Sequence, residues 1–517
     1  MHQDTDYDVI IVGAAICGAT LMNILADRDL RVLVLDKEHG VLEIPRAAHI
    51  DDEVLRYFQH FGVIDALPDA FSRKGPFEFF DNEDRLFLSF PESAERDQGY
   101  IDGYYFHQPE LEHFLRDRAV GAGVTLLERH EVTDVSQNAQ HAVVSYRNLA
   151  DPASGNIQAT AKYVVACDGS SSFVRKHLGI GMEKLAEASR HIIVDFTVHD
   201  DATLPDELGY CVWARIKREG TTIYVHMPKG IYRLEFDVPE GADREQFEAR
   251  ENVLELLAPW VAEKDIKDIV RASVYTYHSL IAEKWRDGRI LLAGDAAHLS
   301  PPFLGQGACA AIRDVFNLGW KLVRVINGES PPALLDTYPS ERRPHATDLV
   351  HRAGKIGEMF KLVQFMPEGE QFTAPAVPEN ELIARPILGP GLHGDAPVPA
   401  GELGPQPRLA DGRLMDDKAA ARFAVVGAPE VIQAMSQQSR TILGRLDAVL
   451  IEDDSDSVTS AVAALGGRVM VVRPDSYLLG VAERPEELDR IVADAAPFLL
   501  ADGGSGTTRV HNGEAYV

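Results

Sequence analysis

Four cysteines in 517 residues (Cys17, Cys167, Cys211 and Cys309) are too few and too scattered for a disulfide framework. No two form a C-x-x-C pair, and their spacing does not resemble a zinc site. No apolar run reaches the roughly 18 residues of a membrane span. Positive charge is scarce: 51 Lys and Arg face 80 Asp and Glu, a net charge of -29. That balance excludes nucleic acid or an anionic membrane as the main partner. Met1 to Asp6 carries no basic stretch and does not read as a signal peptide. A cytoplasmic setting is expected, with the cysteines as small buried thiols. Repeats and low-complexity tracts are missing too. What remains, 45% hydrophobic and 25% charged residues, is the make-up of a globular protein. The length implies two or three domains.

The apolar run Asp8-Val-Ile-Ile-Val12 predicts a buried parallel strand, followed by a helix from Ile16 to about Asp27 and a second strand, Arg31 to Asp36. Helices are expected over 53–62, ending at Gly62, and over Glu110–Ala119, opened by Pro109. Tyr163–Cys167 and Arg289–Ala293 return to the buried-strand style. Between them, from about 185 to 280, alternation replaces helical periodicity. Tyr232, Leu234, Phe236 and Val238 share one face against Arg233, Glu235 and Asp237; Ile223, Val225 and Met227 oppose Thr222, Tyr224 and His226. An antiparallel sheet inserted into a nucleotide-binding fold is expected. Pro386 to Pro407 reads as a linker. The βαβαββα order beyond it suggests a thioredoxin-like domain. The resulting division is an α/β, Rossmann-like domain over 1–184 and 281–390, the inserted sheet over 185–280, and the thioredoxin-like domain over 391–517.

Three turns carry chemistry. Gly13-Ala14-Ala15-Ile16-Cys17-Gly18 sits between strand and helix, as a G-x-G-x-x-G dinucleotide loop does, with Ala15 in place of the second Gly. Asp36 ends the next strand, at the spacing expected for an adenosine-ribose acid, and Lys37 follows it. Asp168-Gly169-Ser170 is a strand-terminal acidic turn, common as plain structure. Gly294-Asp295-Ala296-Ala297-His298 then runs into Pro301-Pro302-Phe303-Leu304-Gly305-Gln306-Gly307 and a helix pattern. A carboxylate at a sheet's carboxyl edge suits ribityl hydroxyls, and free N–H groups at a helix start suit the N1/O2 edge of a reduced flavin.

Together these turns, with Pro45-Arg46-Ala47, Ile50-Asp51, Glu53, Gln108-Pro109-Glu110-Leu111-Glu112, Arg313-Asp314, Asn317-Leu318, Trp320-Lys321-Leu322, Tyr338 and Glu341-Arg342-Arg343, resemble the class A FAD-dependent aromatic hydroxylases. The likeness is to the 4-hydroxybenzoate, 3-(3-hydroxyphenyl)propionate and phenol hydroxylase type, and it covers about 7–350. The C-terminal region resembles the thioredoxin-like appendage of the larger members, without cysteine. The resemblance implies FAD, held by Gly13, Ala15, Gly18, Asp36, Lys37, Arg46, Gln108, Asp168, Gly294 and Asp295. Pro302, Gly305, Gln306 and Gly307 would face the ring, and the N–H groups of Ala308 and Cys309 its pyrimidine edge. The family has Met-Asn or Leu-Asn where Ala308-Cys309 stands, so an Asn side-chain contact is lost. NADPH or NADH would bind transiently, without a second fingerprint.

The same resemblance implies hydroxylation of a phenolic or hydroxylated heteroaromatic ring by O₂ through a C4a-hydroperoxyflavin, with water excluded. No metal is expected, and a homodimer is compatible with the sequence. Tyr224 and His226 are the expected phenol-activating pair, on the polar face of the sheet. Tyr210 and Trp213 read equally as pocket wall or core. Arg233 could bind a substrate carboxylate, but it shares its strand face with Glu235 and Asp237 and reads rather as a solvated ion pair, and His298 as a turn residue. A halogenase is the first rival, but Trp213-Ala214-Arg215-Ile216-Lys217 lacks the second Trp and the Pro of its W-x-W-x-I-P motif. A reductase or oxidase without oxygen insertion, and a flavin-bound assembly or sensor protein, are the others.

Overall fold

A computed structural model describes residues 5–209, 212–367, 369, 370, 372 and 385–501. The chain forms two compact units, one of residues 1–319 with 341–389, the other of 320–340 with 390–517. In the first unit, Val9, Ile10 and Ile11 are fully buried in the strand Tyr7–Val12, which needs apolar side chains on both faces because helices cover the sheet. This strand pairs in parallel with Val32–Leu35 on one side and Asn156–Ala166 on the other. Thr125–Leu127 and Ile290–Leu292 extend the sheet at its two ends. The chain therefore reverses its direction of winding between Tyr7–Val12 and Asn156–Ala166. That reversal opens a crevice beyond the carboxyl ends of these two strands, the usual ligand position of an open α/β sheet.

A second eight-stranded sheet, almost wholly antiparallel, belongs to the same unit, as does a three-stranded sheet of His49–Ile50, Tyr104–Phe106 and Phe71–Arg73. In the eight-stranded sheet the long strands Met182–Val198 and Ile266–Ala282 pair along most of their length, and Ile231–Asp237, Gly220–Met227 and Val212–Lys217 follow in order. His298–Leu299 forms one edge beside Ile266–Ala282, and Phe77–Phe80 and Leu86–Phe90 form the other, strands that lie outside the expected 185–280 insert. One face is apolar: Ile192, Val194, Phe196, Trp213, Tyr224, Leu234 and Phe236 pack with Val253 and Leu257 of the helix Arg250–Leu257.

The other face holds the polar residues, and they are not solvated. Asp195 is fully buried between Arg233, whose Nε donates to Oδ1 over 2.7 Å, and Arg271, 2.9 Å from Oδ2. Arg233 is only 3% exposed, which corrects the expected solvated pair with Glu235 and Asp237. Its Nη groups also donate to the backbone carbonyls of Pro45 (2.5 Å) and Arg46 (3.2 Å). The strand alternation predicted from the sequence is present, but the Arg233 face of it is buried.

In the second unit, Ala424–Gly427 is central, parallel to Val449–Glu452 and antiparallel to Val469–Val472, which pairs with Leu478–Ala482. Trp320 and Leu334 join its core with Phe423, Val425 and Leu479, which is why the 320–340 segment belongs here. The Pro/Gly stretch expected as a linker is instead packed in place: Gly401 and Gly404 N–H donate to the carbonyls of Leu478 and Ser476.

Removing Asp195 would leave two buried guanidinium groups without their counter-ion. Asp195→Ala is expected to destabilise the protein by at least about 3 kcal/mol. Urea denaturation followed by tryptophan fluorescence checks this; a loss below about 1 kcal/mol would mean that the ion cluster does not hold the sheet.

Candidate functional site

The three turns meet at the crevice. Gly13 has φ +96°, and a Cβ there would lie 2.4 Å from the carbonyl oxygen of Cys167, so the first turn rests directly on the Asp168 turn. Gly18 is needed for a second close approach: a Cβ would come within 2.0 Å of the Gly13 carbonyl oxygen. Ala15, the replacement in the glycine pattern, has φ −71° and ψ −176°, a conformation open to any residue. Its methyl occupies space but strains nothing.

The helix Gln108–Gly121 organises this loop from one face. Gln108, Glu112 and Arg116 recur every four residues and so point the same way. Gln108 Oε1 accepts from the N–H groups of Arg46 and Ala47 at 3.0 and 2.7 Å. Glu112 Oε1 accepts from Ile16 N–H, Arg46 Nη2 and Gln108 Nε2 at 3.0, 3.0 and 2.6 Å. Arg116 donates to the Ala14 carbonyl and to Asp36. Asp36 also accepts from Ala14 N–H at 3.0 Å. Gln108 thus positions the Arg46 segment, with its side chain engaged by backbone. Arg46 itself is half-exposed beside the crevice, and Lys37 lies in solvent near Glu38. Glu112 and Arg116 were not expected as site residues; their four-residue spacing from Gln108 is the signal that marks them.

Asp168 Oδ2 accepts from Val174 N–H at 3.0 Å, while its Oδ1 is buried without a partner. Arg175 ties this turn to the next by donating to the carbonyls of Ser170 and Ala296. Gly294 has φ +61°, and a Cβ there would lie 2.9 Å from Cys17 Sγ. Asp314 anchors the turn, accepting from Gly294 N–H at 3.0 Å, His298 Nε2 at 2.7 Å and Arg342 Nε at 3.0 Å. Burial opposes its ionisation, yet His298 and Arg342 outweigh burial and hold the carboxyl below its usual range. His298, stacked on Trp285, opens the two-residue strand His298–Leu299 rather than lying in the turn, and secures the turn through Asp314. Asp295 is left free: its carboxylate is solvent-accessible but set deep in the protein, and that depth raises its pKa.

Pro302–Leu304 makes one helical turn, and Gly305 follows with φ +64°. A Cβ on Gly305 would lie 3.0 Å from that of His49. Gln306 accepts from Arg313, which also donates to Glu53 at 2.6 Å and pairs with Asp51. Burial would raise the Asp51 carboxyl, but Arg313 and Arg385 bring it down to about 2. The helix Gly307–Ile326 begins here, and the half-exposed Gly307 and Ala308 carry N–H groups of its first turn. Cys309, in the position of the family's Asn, is buried, with Sγ 3.8 Å from the His49 carbonyl oxygen.

The expected catalytic pair is not at this crevice. Tyr224 is fully buried in the apolar face, and its hydroxyl donates to the carbonyls of Leu208 (2.7 Å) and Gly209 (3.1 Å). His226 stacks on Tyr232 with ring centres 4.6 Å apart, and burial lowers its pKa. Both point towards the helix-covered side, because Val225, not Tyr224, stands opposite Arg233. Trp213 lies in the same core, its indole N–H donating to the Glu207 carbonyl. Tyr210 falls outside the described residues. Lys217, the halogenase-like lysine, pairs with Asp84.

The face that does look towards the Pro45 and Phe303 segments carries His191, Glu235 and Tyr277. The His191 ring lies 5.9 Å from Phe303 and 5.4 Å from Tyr277, and its Nδ1 is 3.4 Å from Asp237. Glu235 is buried, and its Oε2 has no hydrogen-bond partner. Burial, with Glu235 beside it, keeps the Tyr277 phenol well above its usual range and therefore protonated. An apolar wall adjoins them: Phe79, Ala214, Ile216 and Phe360 pack with Ile223, Phe303 and Leu304.

The orphaned Asp168 Oδ1, the free Asp295 carboxylate, the exposed Arg46 and the open helix start fit a long, phosphate-bearing cofactor with hydroxyls along its length. Comparison with known proteins agrees. Residues 6–353 match the family of the FAD binding domain. A 3-(3-hydroxy-phenyl)propionate/3-hydroxycinnamic acid hydroxylase of Mycolicibacterium smegmatis is 31% identical, covering 94% of this chain and 93% of its own. A probable NADH-specific resorcinol 4-hydroxylase of Rhodococcus jostii is 29% identical, with 95% of each covered. The fold is that of the flavin-dependent monooxygenase PieE, solved in complex with FAD and substrate. Its TM-score is 0.79 at 18% identity, covering 96% of this chain and 100% of that one. The chain belongs to the FAD-dependent aromatic hydroxylases, flavoprotein monooxygenases that draw on a nicotinamide cofactor.

His49 supplies a pH test of the crevice wall. Both its ring nitrogens are buried without partners, and burial, with Lys74 near, pushes the imidazole down to about 4. The folded protein keeps it neutral, whereas the unfolded chain takes up a proton near pH 6.5. Stability is therefore expected to fall as pH drops from about 6.5 to 4, by about 3 kcal/mol from this group. Denaturation across that range should lose this component in His49→Leu; an unchanged slope would contradict it.

Proposed function

We propose that this protein uses NAD(P)H and O₂ to hydroxylate a phenolic or hydroxylated heteroaromatic ring held between the crevice and the polar face of the antiparallel sheet. The observation that carries this reading is the placement of His191 between Phe303, on the turn before the helix Gly307–Ile326, and Tyr277, next to an apolar wall. Bound FAD supplies the oxygen chemistry; the chain binds, orients and excludes water. Gly13, Ala15 and Gly18 let the pyrophosphate approach, and Asp36 and Lys37 face the adenosine end. Arg46, held by Gln108 and Glu112, neutralises phosphate charge. Asp295 and Asp168 accept from cofactor hydroxyls. Pro302, Gly305, Gln306 and Gly307 border the ring, with Ala308 and Cys309 N–H groups at its pyrimidine edge. Gly294 allows the Asp295 turn its close contact with Cys17.

We read the second unit as a thioredoxin-like domain without redox role. Its strand order supports this: the first strand of the unit is central, the second parallel to it, and the third and fourth antiparallel beyond. A cytoplasmic, reducing location suits the buried free thiols of Cys17, Cys167 and Cys309.

The expected outcome is NAD(P)H oxidation stimulated by a phenol, with a product heavier by one oxygen atom that comes from ¹⁸O₂. Mass spectrometry of a substrate panel checks it. If every reducing equivalent leaves as H₂O₂ whatever phenol is added, the protein is an oxidase and the reading fails.

A further inference from the structure

The polar face of the antiparallel sheet holds two buried groups of opposite charge whose hydrogen-bonding capacity is unmet. Glu235 is buried, and its Oε2 has no partner. Arg271 is 4% exposed, and its Nε and Nη2 have none either. That Nη2 lies 2.9 Å from Asp195 Oδ2 but out of line for a hydrogen bond, while Arg233 Nε and Nη2 bind the same carboxylate at 2.7 and 3.0 Å. Arg233 is thus satisfied by Asp195, and Arg271 keeps donors to spare. The other charged pair of this face, His191 and Asp237, is matched within itself.

The two orphaned groups point to one side of the sheet. Arg271 stands opposite Asp195, and Glu235 opposite Ile193, two positions along the same intervening strand. Neighbouring strands lie about 4.8 Å apart, a span that the long stems of Arg and Glu cross from either side. Tyr277 marks where they converge. Burial raises its phenol most, Glu235 raises it further, and Arg233 and Arg271 oppose them, so all three charges surround one hydroxyl. A buried carboxylate oxygen calls for a donor and a buried guanidinium N–H for an acceptor. A ligand carboxylate alone would answer Arg271 and crowd Glu235; an ammonium alone would do the reverse. A group that carries both signs at once, with no net charge, answers both.

We propose that the aromatic ring bound against this face carries an amino acid head, its carboxylate taken by Arg271 and its ammonium by Glu235. This rests on the hydroxylase reading above and narrows its substrate.

The test is anaerobic titration of the FAD-loaded protein, read by the change in flavin absorbance. Three probes share one skeleton: 3-hydroxyphenylalanine has both groups, 3-(3-hydroxyphenyl)propionate the carboxylate alone, and 3-(2-aminoethyl)phenol the ammonium alone. The amino acid is expected to bind at least about tenfold tighter than either. Glu235→Gln should bring the amino acid and the arylpropionate within about threefold of each other and keep the preference over the amine. Arg271→Gln should do the opposite, erasing the preference over the amine and keeping that over the arylpropionate. A merely structural role would weaken all three probes alike. Retained FAD and an unchanged far-ultraviolet spectrum show that a variant folds; if Arg271→Gln loses FAD, Glu235→Gln decides alone. Equal or tighter binding of either singly charged probe to the native protein, binding of no probe, or parallel changes for all three in Glu235→Gln overturns the proposal. Product analysis separates the two levels. Oxygenated phenols formed with no preference for the amino acid sink the proposal and leave the hydroxylase intact. Selective binding of the amino acid without any oxygenated product sinks the hydroxylase reading and leaves the recognition intact.

Discussion

The position of Arg233 is the constraint on which the site depends. A guanidinium buried in a sheet needs a counter-charge and several acceptors at once. Asp195 provides the charge, and the Pro45 and Arg46 carbonyls provide the remaining acceptors. One side chain thus fixes the separation between the antiparallel sheet and the loop that carries Arg46. Because hydrogen-bond lengths tolerate only a few tenths of an ångström, the sheet face that bears His191 and Tyr277 and the Pro45–Arg46 segment share one register. A hydrophobic contact, being non-directional, could not set that distance as narrowly.

The same device recurs around the crevice. Glu112 gathers Ile16, Arg46 and Gln108; Asp314 gathers Gly294, His298 and Arg342; Arg313 gathers Asp51, Glu53 and Gln306. Each is a buried charge with hydrogen-bond partners on separate segments. Such clusters add little net stability compared with apolar packing, but they define geometry and are severe to break. They let loops with left-handed glycines at 13, 294 and 305 keep one arrangement. Asp295 and the orphaned oxygen of Asp168 stand within this frame as groups left free for a ligand.

Much of this was legible in the sequence. Buried-strand runs, the glycine turns and their acids placed the parallel sheet and its crevice, since backbone sterics and full burial leave clear marks. The alternation at Ile223–Met227 and Tyr232–Val238 was also correct. Its orientation was not: Tyr224 and His226 were assigned to the site and Arg233 to solvent, whereas Tyr224 lies in the helix-backed core and Arg233 beneath the cofactor loop. Periodicity gives two faces but says nothing about what covers each one. Where both faces of a sheet are packed within one unit, as around Asp195 and Tyr224, polarity is no compass. Phe77–Phe80 and Leu86–Phe90 were missed because strand neighbours distant in sequence leave no local signal. Ala15 stands in place of the second Gly of the motif, and its backbone lies in a region open to any residue.

The central claim is that Arg233 sets the spacing between substrate wall and cofactor loop. Arg233→Lys keeps the charge opposite Asp195 but lacks the planar fork that reaches both carbonyls. The direct measurement is the share of NAD(P)H equivalents that end as H₂O₂ during turnover with a hydroxylated substrate, in native and variant protein loaded equally with FAD. The account predicts a several-fold larger share in the variant at similar FAD affinity. An unchanged ratio of hydroxylated product to H₂O₂ would contradict it.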